Sequence, residues 1–256
     1  MKIIDSHAHI YTEKISEKAV ENVGKFYNLE MRGHGTSSDL ISSGKKAGIE
    51  KYVVHSPALN AENVCSINDF ISAQCKEHEE LIGYGTLHAD FKEPEKEIDR
   101  IKKLGLKGIK IHPDSQGFNL DDERMMKIYA IIEAEKLPVL FHTGDYRFDY
   151  SHPRRLVNVM KKYPRMVCIA ARFGGWSIFD LALEYLKDTK CYLDMSSSFS
   201  FLGLQRSKEL IKIYGPERML FGSDFPMWDP QQELEKYYDM GFSQTENELM
   251  LSQNIS

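Results

Sequence analysis

The chain has 256 residues, a formal net charge of −5 and 42% hydrophobic residues. A chain of this length buries a large core, and its mild acidity excludes a basic nucleic-acid footprint as the main theme. The longest charge-free stretch, Met195 to Gln205, falls well short of the ~20 apolar residues of a membrane span, so neither nucleic acid nor membrane is expected as a partner.

In chain order, Met1-Lys2-Ile3-Ile4-Asp5 reaches its first acid without an apolar run, so no secretory leader is expected. Short apolar runs then recur at Lys2–Asp5, Tyr52–His55, Leu81–Leu87, Leu106–His112, Pro138–His142, Met166–Ala171, Cys191–Met195 and Met219–Phe221. Unbroken apolar runs suit strands buried on both faces, as in a parallel sheet. The first connection, Tyr11–Ser38, is long. It carries a predicted helix at Ser16–Tyr27 and a flexible Gly33-His34-Gly35 stretch, which makes it a candidate lid. Amphipathic segments separate the later runs. Asn63–Glu79 follows the second run. Glu95–Leu104 puts Ile98, Ile101 and Leu104 on one face. Asp121–Glu135 opens on acids that suit a helix N-terminus, and Pro138 halts helix beyond it. Arg154–Lys162, Ile178–Asp188, Arg206–Tyr214 and Gln231–Met240 read likewise, and Asn247–Ser256 reads as the last helix. Cys65, Cys75, Cys168 and Cys191 form no CxxC pair and read as reduced thiols of a cytoplasmic protein.

Eight strand-then-helix units in this length predict an α/β fold, a single (β/α)8 TIM barrel over residues 1–256. A doubly wound sheet would carry a Gly-rich turn after its first strand; here the first strand ends in Ser6-His7-Ala8-His9.

The histidines carry the functional signal. His7 and His9 follow the first predicted strand, His55 the second and His88 the third, while His112 ends the fourth and His142 the fifth. In a parallel barrel those strand ends open at the face where active sites are built. Side chains at i and i+2 of a strand share a face, so His7 and His9 are placed to chelate one cation, for which imidazole is a good ligand. Asp224 ends the eighth strand in Leu220-Phe221-Gly222-Ser223-Asp224-Phe225-Pro226. Asp224 read as a turn cap is the bland alternative. A metal held by His7, His9, His142 and Asp224 would keep a position for water, as catalytic zinc sites do, and would lower that water's pKa to ~7.

The strings IDSHAHI (4–10), GIKIHPDSQGF (108–118), LPVLFHTGD (137–145), IAARFGGW (169–176), YLDMSSS (192–198) and LFGSDFPMW (220–228), in this order and spacing, resemble the amidohydrolase superfamily. The resemblance is to its amidohydrolase-related branch, which includes aminocarboxymuconate-semialdehyde decarboxylase and related hydrolases. It covers nearly the whole chain. It implies a (β/α)8 barrel and one divalent metal ion on His7, His9, His142 and Asp224, zinc first, with manganese or iron as alternatives. It also implies a histidine at the end of the sixth strand, in the pattern A-H-[LF]-G-G. Here Ala171-Arg172-Phe173-Gly174-Gly175 puts Arg172 at that position. Arginine stays protonated and cannot serve as a base near pH 7.

Three accounts of Arg172 follow: a clamp for a substrate carboxylate or phosphate, with Asp224 or His112 taking over proton transfer; a disabling change; or an altered variant. Catalytic roles are accordingly assigned to Asp224, Arg172 and His112. Lys110, Arg147, Arg154, His55, His88 and Trp176 are candidate substrate contacts, the arginines because they can grip a carboxylate bidentately. Asp194, ending the seventh strand, is a candidate to orient a metal ligand. The leading expectation is a metal-dependent hydrolase using metal-activated water on a small carboxylated amide, ester or lactone. The alternatives are a metal-dependent decarboxylase of a small unsaturated or aromatic acid, and a catalytically impaired metal- or ligand-binding barrel. A homodimer is what relatives of this branch suggest.

Overall fold

The computed structural model describes residues 2–256. Eight strands alternate with helices: β1 (Ile4–His9), β2 (Lys51–His55), β3 (Leu81–Thr86), β4 (Gly108–Ile111), β5 (Val139–Phe141), β6 (Cys168–Ala170), β7 (Tyr192–Asp194) and β8 (Met219–Leu220). They form one sheet in the order β1 to β8. Sequential order with a helix in every crossover is the arrangement of a (β/α)8 barrel. All eight predicted runs overlap a strand, because each couples β-branched or aromatic residues to burial. The chain packs as two compact units, Met1–His55 with Glu77–Ile82 and Asp194–Ser256, and Ser56–Lys76 with Gly83–Leu193.

In the first unit, β1 pairs in parallel with β2, from Ile4 opposite Lys51 to His9 opposite His55, with an irregularity between Asp5 and Ala8. β1 runs beyond its apolar run, through both His7 and His9. Backbone bonds from Ser6 N to the Phe221 carbonyl (2.8 Å) and from His9 N to the Phe225 carbonyl (2.7 Å) fasten it to the chain following β8. Buried Asp5 completes that seam. Its Oδ1 accepts from His7 N and Ser223 N, and its Oδ2 from Ser223 Oγ at 2.5 Å. Burial pushes the Asp5 carboxyl up to about 7, against the lowering effect of those donors.

The first connection departs from expectation. Its helix spans Glu13–Tyr27, and a second, Ser37–Lys46, follows it, capped by the Thr36 side chain on Asp39 N. The glycine stretch between them is packed rather than loose. Arg32 N and Gly33 N both donate to the Pro226 carbonyl at 2.9 Å, and Tyr11 N donates to the Gly35 carbonyl. A Cβ on Gly33 would lie 2.2 Å from the Phe225 ring. Glycine here permits close packing, so flexibility is not its purpose. The predicted helix Arg206–Tyr214 starts earlier, at Phe199, and breaks at Gly203, whose φ is +73°.

In the second unit, β3 to β6 pair in parallel in consecutive registers, Tyr84 opposite Gly108, Ile109 opposite Val139 and Leu140 opposite Ile169. Helices Pro94–Lys103, Pro113–Gln116 and Pro153–Lys162 each begin on proline, which lacks the N–H that a first turn leaves unpaired anyway. Buried Asn68, on helix Val64–Glu77, straps the end of β3. Its Oδ1 accepts from Thr86 N at 2.7 Å, and its Nδ2 donates to the Thr86 carbonyl and to Glu97 Oε1. Among the described residues no helix is long and apolar enough to cross a membrane.

Candidate metal centre

The first unit gathers His7, His9 and Asp224. His7 Nε2 lies 3.3 Å from His9 Nε2 and 3.4 Å from Asp224 Oδ1, and His9 Nε2 lies 3.5 Å from the same oxygen. Three donors bound 2.0–2.2 Å from one ion at tetrahedral angles would stand ~3.3–3.6 Å apart. The triangle therefore has the size of a coordination shell.

The partners behind these donors fix which atom faces inward. His7 Nδ1 lies 2.7 Å from Asp194 Oδ2, so that nitrogen carries the hydrogen and Nε2 keeps its lone pair. Asp194 is held in turn by Ser196, whose N and Oγ donate to Oδ1 at 3.0 and 2.5 Å. A carboxylate behind a ligating imidazole is the usual support of a metal site. Asp224 Oδ2 accepts from Ser197 Oγ at 2.6 Å, and Trp228 Nε1 donates to the same hydroxyl at 2.7 Å. Asp224 adopts φ +62° and Ser197 φ +50°. Left-handed backbone at non-glycine residues is strain of the kind that collects at functional sites.

His55 adds to this group. Its ring stands edge-on to His7 and His9, with centroids 4.8 and 4.4 Å away, and ligand atoms of the three histidines all lie within 4.8 Å of one another. The sequence assigned His55 to substrate contact; the structure places it beside His7 and His9, in a group that could hold an ion. The supporting Ser196 and Ser197 were missed, although the SSS run beside Asp194 is the signal that could have found them.

The second unit gathers His112, Asp114, His142 and Arg172, all buried. The His112 and His142 rings stack at 3.8 Å, 7° from parallel. His112 Nδ1 accepts from Ser115 N and so caps helix Pro113–Gln116, which puts the ring hydrogen on Nε2. His142 Nε2 lies 3.0 Å from Asp114 Oδ2, and that oxygen accepts a hydrogen bond from Ser151 Oγ at 2.6 Å. Asp114 Oδ1 is buried without a hydrogen-bond partner. Burial raises the Asp114 carboxyl to about 6, with the Ser151 hydrogen bonds and the charges of Arg172 and Arg147 pulling the other way. Arg172 Nη1 meets His142 Nδ1 at 2.5 Å, and Arg172 takes φ +60°.

The remaining candidates divide by what they touch. Arg147 forks onto Asp145, Nε to Oδ1 at 2.9 Å and Nη2 to Oδ2 at 2.6 Å. Arg154 pairs with Asp149 at 2.5 Å near the surface. The bidentate grip expected of both arginines is thus taken by carboxylates of the chain itself. His88 spends both ring nitrogens locally, Nδ1 accepting from Asp90 N and Nε2 donating to the Gln116 carbonyl. Lys110 is buried in β4, and Trp176 is buried with the Arg147 guanidinium 5.7 Å from its ring.

Comparison with known proteins matches residues 4–255 to the amidohydrolase family model. Among proteins of curated function none matches. Solved structures with a similar fold include an uncharacterised TIM-barrel protein from Bordetella bronchiseptica, 18% identical, with a TM-score of 0.77 over 100% of this chain and 97% of that one. 2,6-Dihydroxybenzoate decarboxylase from Rhizobium is 13% identical, with a TM-score of 0.75 over 100% of this chain and 97% of its own. Dihydroxybenzoic acid decarboxylase from Polaromonas sp. JS666, solved with bound manganese and 2-nitroresorcinol, is 16% identical, with a TM-score of 0.76 over 99% and 95%. With the family model spanning almost every residue and the strand order of a (β/α)8 barrel, the chain belongs to the amidohydrolase family.

Proposed function

We propose that this protein is a metal-dependent decarboxylase of a small aromatic or unsaturated carboxylic acid. The observation that carries the metal dependence is the donor triangle of His7 Nε2, His9 Nε2 and Asp224 Oδ1, 3.3 to 3.5 Å on a side. The similarity to decarboxylases of hydroxybenzoates turns the choice within the family away from the hydrolase expected from sequence. A divalent ion at the triangle supplies a Lewis acid for substrate oxygens, and the spacing accommodates zinc or manganese. Asp194 orients His7, and Ser197 with Trp228 orients Asp224. The buried Arg172 guanidinium is a permanent cation of the kind that attracts a carboxylate.

Loss of CO2 leaves an electron pair on carbon, which a proton must quench. Asp224 and His112 were the proton carriers expected from sequence. Within the second unit Asp114 has the character of an acid too, since burial raises its carboxyl to about 6 and its Oδ1 is buried without a hydrogen-bond partner. A general acid works best with its pKa near the operating pH.

Hydrolysis remains the second reading, because the same triangle suits metal-activated water. Manganese- and zinc-loaded protein assayed against hydroxybenzoates, a carboxyvanillate, amides, esters and lactones separates the two. Evolved CO2 with the decarboxylated ring as product is the expected result. Release of an amine or alcohol without CO2 establishes the hydrolase instead.

A further inference from the structure

We propose that His55 is a third imidazole ligand of the metal centre, so that the first unit by itself supplies three histidines and one carboxylate. The backbone brings the three rings together. In the parallel ladder of β1 and β2, His9 stands opposite His55, and the Ile10 N–H donates to the His55 carbonyl at 3.3 Å. Neighbouring strands lie ~4.8 Å apart, so these two rings leave the sheet side by side. His7, two residues before His9 on the same strand, adds the third ring. All three are buried.

The ring geometry has the dimensions of a ligand shell. An imidazole nitrogen binds zinc at ~2.0–2.1 Å with its ring centre ~1.1 Å further out, so two imidazoles on one ion, at right to tetrahedral angles, have centres ~4.4–5.2 Å apart. Here the centres of His9 and His55 are 4.4 Å apart, those of His7 and His55 4.8 Å, and those of His7 and His9 5.3 Å. The planes are inclined to one another by 46 to 90°. Rings stacked flat send their lone pairs along parallel planes, whereas inclined rings let them converge. Ligand atoms of the three lie within 4.8 Å of one another. Two ligands facing each other across an ion stand ~4.2 Å apart, so little closure is needed. The edge from His7 Nε2 to His9 Nε2, 3.3 Å long, also belongs to the triangle with Asp224. Three imidazoles and a carboxylate make a nitrogen-rich set that suits zinc and its first-row neighbours over magnesium or calcium. Edge-to-face packing of rings gives similar separations; what distinguishes a ligand is a bond from the His55 ring to the ion.

This inference rests on the metal reading above, and the test keeps the two apart. Nitrogen-labelled protein is loaded with spin-active Cd2+, a stand-in for zinc, and long-range proton–nitrogen NMR records which imidazole nitrogens the cation splits. His55→Phe, which keeps an aromatic ring in the same space, assigns the His55 signal. A split ring that disappears in His55→Phe is the expected result; identical split rings in native and variant protein overturn the proposal. In calorimetric titration with Zn2+, His55→Phe is expected to weaken binding by ~10-fold or more, at least the scale of groups that only orient ligands. A smaller change overturns the proposal. Should His55→Phe fail to fold, His55→Gln serves both measurements, since its amide has no ring nitrogen. Split His7 and His9 rings without His55 leave the metal centre standing and remove His55 from it; no split ring and no zinc binding in native protein remove both.

Discussion

Asp194 is the residue on which the first donor group turns. Its Oδ2 fixes the tautomer of His7, and its Oδ1 is anchored by Ser196. Asp194→Asn offers an amide in place of the acceptor. It is expected to weaken divalent metal binding by ~10–100-fold with little change in melting temperature. A titration in which affinity stays within about 2-fold would show that His7 is oriented by something else. Asp5, two residues before His7, plays a structural part instead. Its carboxyl is raised by burial to about 7, above the 3.8 of an exposed aspartate. The native state therefore holds a proton that the unfolded chain releases as pH climbs from about 4 to about 7. Stability is expected to be fullest below that window and to fall as pH rises through it, with Asp5 contributing up to ~1.4 kcal/mol per pH unit. Asp5→Asn keeps acceptor and donor in place without the charge, so it should flatten that slope in urea titrations at pH 5, 6 and 7. An unchanged slope would move the effect to another group.

At the scale of elements, buried side chains tie off strand ends where the ladder stops. Asn68 satisfies both backbone groups of Thr86 and one oxygen of Glu97. Asn68→Ala leaves all three buried without that partner, so a loss of ~2–4 kcal/mol in chemical denaturation is expected. The amphipathic pattern of Val64–Glu77 revealed a helix, yet nothing in the pattern showed that one polar residue on its inner face serves β3. The stretch around Gly33 teaches the converse. Glycines and a missing apolar period suggested a mobile lid, but Phe225 fills the space a side chain would occupy. Gly33→Ala is expected to cost about 1–3 kcal/mol by overpacking. A thermal melt matching native protein would restore the loose loop. Strand positions were legible because apolar runs mark burial; helix starts slipped where caps and breaks such as Gly203 depend on local backbone geometry.

For the molecule as a whole, binding of an ion to the folded state alone raises stability by mass action. At one hundred times the dissociation constant the gain is ~2.7 kcal/mol. Chelation should therefore lower the melting temperature, and manganese or zinc should restore it, while magnesium, which dehydrates reluctantly and favours oxygen ligands, should not. A melt insensitive to chelator and to added manganese would count against a resident ion. By itself the sequence determined the strand–helix alternation and the barrel class, and it named candidate residues for the chemistry, because burial periodicity and histidine placement are written in local order. Only the tertiary structure decided what each histidine can do. Whether His7, His88 or His112 offers a lone pair or a hydrogen depends on the group facing its other nitrogen, and for His7 that group, Asp194, comes from β7, far away in the chain.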